Sequence, residues 1–284
     1  MRLSQNTSRI VIPTGGAEED LAFGRTTHLG IGAHPDDLEI MSWHAIGTCH
    51  ASSDRWFSGV IVTDGAGSPR NGPFAKYSDE DLKQARFEEQ RQAAILGEYS
   101  ALVMLGFSSA AAKATRNTEL AADLLAVLRQ SKPQFVFTHN LFDAHDTHVA
   151  VAVHVIEAIR QLDPHERPRA LYGCEVWRSL DWLLESDATV FDVSASEDLG
   201  TKLIELYHSQ IGGGKRYDSA TVARKRLNAT YRQPRDVDRS TAAELVVDMT
   251  PLVADETLDI HEFAMGFVDR FKTDVSGRLH RALL

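Results

Sequence analysis

The chain is predicted to adopt an α/β fold, a Rossmann-like three-layer α/β/α arrangement around a mostly parallel sheet. Two observations predict it. Short apolar runs alternate with amphipathic helical stretches through the first 176 residues, and four such strand–helix units in a row imply parallel strands with helices on both faces. Two clusters of polar, chemistry-bearing side chains, His34-Pro35-Asp36-Asp37 and Asp143-Ala144-His145-Asp146-Thr147-His148, each follow an apolar run directly. Open parallel sheets place their ligand sites at such strand ends.

Taken in order, residues 27–33 read as a buried strand, and Leu38, Met41, Ala45 and Ile46 as one face of a helix over 36–48. Pro35 suits a helix start, where its missing N–H is no loss. Phe57 to Thr63 is a second strand closed by Asp64-Gly65-Ala66-Gly67. Pro69, Gly72 and Pro73 make 68–77 a loop. Ser78 and Asp81 form a capping pair for a helix running to about Leu96. Strands at Ala101–Leu105, Gln134–Thr138 and Ala170–Val176 alternate with helices at Thr118–Arg129 and after His148, where Val149, Ala152, Val153, Ile156 and Ile159 share a face. A strand at Val190–Val193 and a helix over 197–208 follow, then Gly212-Gly213-Gly214, a hinge or a loop over the site. The whole of 1–284 reads as one domain, with 1–20 a peripheral extension, 216–239 a charged, mostly exposed segment of unassigned structure and 211–284 the variable part.

Composition narrows the function. The formal net charge of −10 opposes a phosphate-tracking surface, so no nucleic-acid partner is expected. No apolar run approaches the roughly 20 residues that span a bilayer, and residues 1–6 lack a secretory apolar region. Cys49 and Cys174 are the two cysteines, which excludes a disulfide framework and a thiolate zinc site. A soluble cytoplasmic protein is the expectation.

His34 and Asp37 are three apart across a strand-to-helix turn and can converge on one ion, with His148 as a third ligand. Two imidazoles and a carboxylate with an open position make a catalytic-zinc inventory, although such a site also accepts Fe²⁺, Co²⁺ or Ni²⁺. The open position holds a water whose pKa the metal lowers to about 7. Asp36 then stands beside the ligands as a proton acceptor. His145, as imidazolium, can stabilise an oxyanion and protonate a leaving amine. Asp143 or Asp146 can orient His145. This inventory suits metal-assisted hydrolysis of an amide. His28, His44, His50, His139 and His154 have no partner pattern and read as structural, and Trp177 as a core residue.

Ala33-His34-Pro35-Asp36-Asp37-Leu38-Glu39 resembles the A-H-P-D-D-x-E signature of the PIG-L-type (LmbE-like) zinc-dependent N-deacetylases. Val62-Thr63-Asp64-Gly65, the helix bearing Arg86, Glu88, Ala93, Ala94, Leu96 and Gly97, then Leu105-Gly106-Phe107, are similar to later family elements. Asp143, His145 and His148 match D-x-H-x-x-H, and Lys202 with His208-Ser209-Gln210 a late K-x(5)-H-x-Q. The resemblance spans about residues 27–211. It implies one Zn²⁺ held by His34, Asp37 and His148, Asp36 as general base, His145 as electrophilic or acid histidine, and Arg86 presented to substrate. It also implies removal of an acetyl or other acyl group from an amino sugar or conjugate, often of N-acetylglucosamine, and leans toward a homo-oligomer. Thr147 stands where the family has an aspartate, and Ser108-Ser109 where it often has another.

Two other classes compete. A metal- or carbohydrate-binding protein without catalysis would need neither Asp36 nor His145. A nucleotide-binding oxidoreductase gains support from Gly30-x-Gly32, but its third glycine falls at Pro35 and acidic groups occupy the pyrophosphate position.

Overall fold

A computed structural model describes residues 1–13, 17–232 and 234–284. The strands are β1 (Arg9–Val11), β2 (His28–Gly32), β3 (Phe57–Thr63), β4 (Ala101–Phe107), β5 (Phe135–His139), β6 (Ala170–Cys174), β7 (Thr189–Asp192) and β8 (Ala243–Asp248). The helices of the first half are α1 (Glu19–Gly24), α2 (Asp37–Met41), α3 (Trp43–Cys49), α4 (Asp79–Leu96), α5 (Ser109–Ala112), α6 (Thr118–Ser131) and α7 (Asp146–Arg160). Those of the second half are α8 (Glu197–Glu205), α9 (His208–Ile211), α10 (Tyr217–Thr230), α11 (Thr250–Ala254) and α12 (Ile260–Leu283).

Among the described residues the strands form one eight-stranded sheet in the order β1-β4-β3-β2-β5-β6-β8-β7. The pairs joining β4, β3, β2, β5 and β6 are parallel, and β1, β8 and β7 add antiparallel edges. The chain builds outward from β2 to β4 and then returns to lay β5 on the other side of β2. The strand order therefore reverses between β2 and β5, the position where open α/β sheets hold their ligands.

Strand alternation sorts the core into two layers. Leu29, Ile31, Val60, Val62, Val103 and Leu105 face α1, α6 and α7, whereas Phe57, Ile61, Leu102 and Met104 face α2, α3 and α8. The three layers foreseen from sequence are present. Gly30 lies on the second face, where a β-carbon would come within 2.6 Å of the Phe57 ring and 2.9 Å of Leu38. This glycine lets α2 press onto β2, and no part of that role concerns a nucleotide.

One expectation needs correction and three gain detail. The helix expected over 36–48 is two, because the Glu244 carboxylate accepts the N–H groups of Trp43 (2.7 Å) and His44 (2.9 Å) and starts a new helix after Ser42. The segment 216–239 holds α10, whose inner face buries Thr221, Lys225 and Asn228. The N-terminal stretch contributes β1, paired with β4. The glycine triplet packs against the 68–77 loop, with Gly213 close to the Pro69 carbonyl and Gly212 to Phe74.

His28, at the buried start of β2, bears on pH dependence. Burial, with His44 and Arg55 nearby, holds its imidazole down at about 4. Between pH 6.5 and 4 the unfolded chain binds this proton and the folded chain does not, so stability falls as pH falls through that window. The loss attributable to His28 is roughly 3 kcal/mol. Urea unfolding at pH 7 and pH 4.5 should show a shallower decline for His28→Gln than for the parent chain, and parallel declines would refute it.

Candidate active site and metal centre

The switch point gathers three loops. The turn after β2 brings His34 to α2, whose first residue is Asp37. The loop after β5 brings Asp143 and His145 to the start of α7, and His148 to its first turn. The segment after β6 brings Glu175, Val176 and Trp177 alongside.

The three predicted ligands come together. His34 Nδ1 lies 3.1 Å from His148 Nε2 and 3.2 Å from Asp37 Oδ2, and the last two atoms are 3.5 Å apart. A tetrahedral ion with ligand bonds of about 2.0–2.2 Å sets its donors about 3.3–3.5 Å apart, so the triangle fits a divalent cation. Asp37 and His148 are buried, while His34 is open to the cavity. Burial alone would raise the Asp37 carboxyl, but His148 and His139 outweigh it and hold it well below the usual range. Burial keeps His148 down at about 4, so its imidazole is neutral and available as a ligand.

Asp36 flanks the triangle in a left-handed backbone conformation, φ 98°, a strained state for a non-glycine residue that surrounding contacts must hold. Its N–H donates to Gln90 Oε1 at 3.2 Å. Gln90 Nε2 donates to Glu39, and the hydroxyls of Tyr99 and Tyr207 also meet that buried carboxyl, each at 2.6 Å. Glu39 thus steadies the turn through Gln90. Burial pushes the Asp36 carboxyl well above its ordinary value, against the pull of Arg86.

Arg86 is buried, and its guanidinium reaches Asp36 Oδ2 (3.1 Å), the Pro35 and Gly65 carbonyls, and Ser68 Oγ. It borders the cavity, yet most of its donors hold protein groups, Asp36 foremost.

His145 is positioned differently from expectation. Neither acidic neighbour holds its ring. Its Nδ1 accepts the Thr147 N–H at 3.2 Å, capping α7, so the neutral ring carries its proton on Nε2. Asp146 is exposed. Asp143 instead accepts the His145 backbone N–H (3.0 Å) and the Trp177 N–H (3.1 Å), and its Oδ2 faces His148 Nδ1 at 3.6 Å. It stands behind the His148 ring, where carboxylates stand behind metal-binding histidines. Burial and the nearby His34 lower the His145 pKa, which disfavours the imidazolium and leaves a neutral Nε2–H donor.

Sequence reasoning missed His139 and Trp177. His139, at the end of β5, stacks on His148 at 3.8 Å, accepts the Ala33 N–H at 2.9 Å and comes within 3.3 Å of Asp37. Its place at a strand end was the available signal; without a neighbouring carboxylate it reads as structural. Trp177 is 44% exposed and walls a cavity of about 330 Å³ shared by His34, Asp36, Asp37 and His145. Ser109, Lys113, Gln210, Lys215 and Tyr217 close its other sides.

Residues 29–159 match the family described as PIG-L, GlcNAc-PI de-N-acetylase. The match covers somewhat less than half of the chain and includes His34, Asp36, Asp37, His145 and His148. No curated protein matches it at a significant level. Among solved structures, this chain is similar to N,N'-diacetylchitobiose deacetylase from Pyrococcus horikoshii (18% identity over 81% of this chain and 86% of that one, TM-score 0.63). It is similar to GalB, the 4-carboxy-2-hydroxymuconate hydratase from Pseudomonas putida (19%, 79% and 96%, TM-score 0.60). A third is the zinc-inhibited form of teicoplanin deacetylase Orf2 (15%, 78% and 98%, TM-score 0.58). One PIG-L-like fold thus carries deacetylation and hydration, so fold alone does not select the reaction. No helix among the described residues is long and apolar enough to cross a membrane.

Proposed function

We propose that this protein hydrolyses the N-acyl amide of an amino sugar or amino-sugar conjugate, with one divalent cation held by His34, Asp37 and His148. The observation that supports it most is the 3.1–3.5 Å triangle of donor atoms with a carboxyl and an imidazole on its flanks. When bound there, a divalent ion would polarise the amide carbonyl and lower the pKa of a water at its open position.

The chain's own residues supply the remainder. Asp36, which flanks the donor triangle and is held by Arg86 at 3.1 Å, takes the proton of the attacking water. His145 Nε2–H donates to the oxygen on which negative charge develops. As the C–N bond breaks, the proton taken by Asp36 passes to the departing nitrogen, leaving a carboxylate and a free amine. Arg86 keeps Asp36 aligned. Asp143 keeps the His148 ring fixed, and its hold on Trp177 ties the cavity wall to the same carboxylate. A second copy of the chain and a cytoplasmic setting are compatible with this reading.

The test loads metal-free protein with Zn²⁺, Fe²⁺, Co²⁺ or Ni²⁺ and measures acetate release from a panel of N-acetylglucosamine conjugates. Several ions are needed because the fold neighbour Orf2 has a zinc-inhibited form. We expect about one ion per chain, turnover with at least one metal, and loss on chelation. Binding of the ion without acetate release from any conjugate would return the reading to a non-catalytic metal protein.

A further inference from the structure

The catalytic cavity continues past Trp177. Behind that indole and Tyr217 lies a second chamber of about 190 Å³ that shares Ile40, Val176, Trp177 and Tyr217 with the first. Its far wall is α10, through Ala220, Thr221, Arg224 and Lys225, beyond the residues that match the family. The charged groups around it already have protein partners. Lys225 Nζ is 2.8 Å from Glu244, and Arg224 donates to the Val176 carbonyl. Glu175 accepts the Leu180 N–H at 2.6 Å and Asn228 Nδ2 at 2.7 Å. What remains facing the space is mostly apolar: Ile40, Val176, the ring faces of Trp177 and Tyr217, and the Ala220 methyl, with Thr221 and the rest of the Arg224 guanidinium at its far wall. Water confined there finds few hydrogen-bond partners, so an apolar occupant displaces it favourably.

The mouth of this annex lies at the reacting groups. Ile40 is one helical turn beyond Asp36 and Asp37, and the Trp177 and His145 rings are centred 6.2 Å apart. A substrate seated with its amide between Asp36 and His145 can therefore extend into the annex without leaving the cleft. Its volume corresponds to about six waters, and so to an unbranched chain of roughly five or six carbons.

On the reading that the site is an N-acyl hydrolase, we propose that its substrate carries an apolar group of this size, seated between Ile40 and α10. An N-acyl chain longer than acetyl and an apolar aglycone share this chemistry, and the assay separates them. One series varies the acyl group of N-acyl-glucosamine from two to eight carbons. The other keeps N-acetyl and varies an alkyl glycoside over the same range. Each buried methylene is worth about fourfold in affinity, so the four added between two and six carbons should raise kcat/KM by up to about 200-fold in one series, with a plateau near six carbons. That series names the group. Ala220→Trp, at an exposed position of α10, fills the annex and should erase the rise in the hexyl-to-shortest ratio. Calorimetry on the metal-free protein should show the same preference, with a more negative heat-capacity change for the longer ligand.

A flat response in both series, with the acetyl compound still hydrolysed, overturns the annex and leaves the hydrolase reading standing. A rise that survives Ala220→Trp also overturns it. No hydrolysis in either series under any metal removes the hydrolase reading, and the inference with it.

Discussion

Replacing Asp36 by Asn is expected to lower kcat for N-acyl hydrolysis by about 10²–10⁴-fold, the usual contribution of a positioned general base, with metal content unchanged. Asparagine adopts the left-handed backbone as readily as aspartate does, so the φ of 98° at this position does not oppose the exchange. Its side-chain oxygen can still accept from Arg86, which leaves that buried guanidinium partnered. What disappears is the ability to take a proton. Because this proton moves only in the transition state, kcat and kcat/KM should fall together while KM barely changes. Metal analysis of the variant separates loss of the base from loss of the site. Turnover above about a tenth of the parent rate, far from the expected loss, would remove Asp36 from the mechanism.

The largest expected effect on stability is at Lys225, which joins α10 to the start of α3 through Glu244. Lys225 and Glu244 form an ion pair that is 3% and 2% exposed, and Glu244 also accepts the two N–H groups that begin α3. Lys225→Ala leaves a buried carboxylate without its cation, a change that costs about 3–5 kcal/mol and should lower Tm by roughly 6–20 °C. The helix N-terminus compensates in part, which favours the lower end. Removing both charges, as in Lys225→Met with Glu244→Leu, should be less damaging than the sum of the single changes. Chemical denaturation of the four proteins gives the coupling. Strict additivity would mean that the pair contributes nothing.

Legibility in the sequence followed how local each feature was. The turn after β2 could be read because strand, helix start, imidazole and both carboxylates fall within ten residues. The same holds for the capping box of Ser78 and Asp81, which is present in full. The second half hid its elements behind polar residues. α10 buries Thr221, Lys225 and Asn228, spaced as one helix face, but apolar periodicity cannot register a face made of hydroxyl, ammonium and amide. β8 carries Glu244, buried because Lys225 meets it from a separate helix, and a glutamate inside a short apolar run reads as surface. The break at Ser42 has the same origin, since the group that restarts the helix lies about 200 positions away. Among the site residues, Asp146 was an attractive partner for His145 by spacing alone. The helix cap made by His145 itself takes up its Nδ1, a competition visible only in three dimensions.

The strand order carries a consequence for synthesis on the ribosome. β7 emerges before β8 yet touches the sheet only through it, so Thr189–Asp192 has nowhere to dock until residues 243–248 are made. At translation rates of about 5–20 residues per second, β6 meanwhile offers a bare strand edge for some seconds, the kind of surface on which nascent chains mispair. The last third of this chain therefore acts as a closing seam, and the growing polypeptide is most exposed to error just before that seam is sewn.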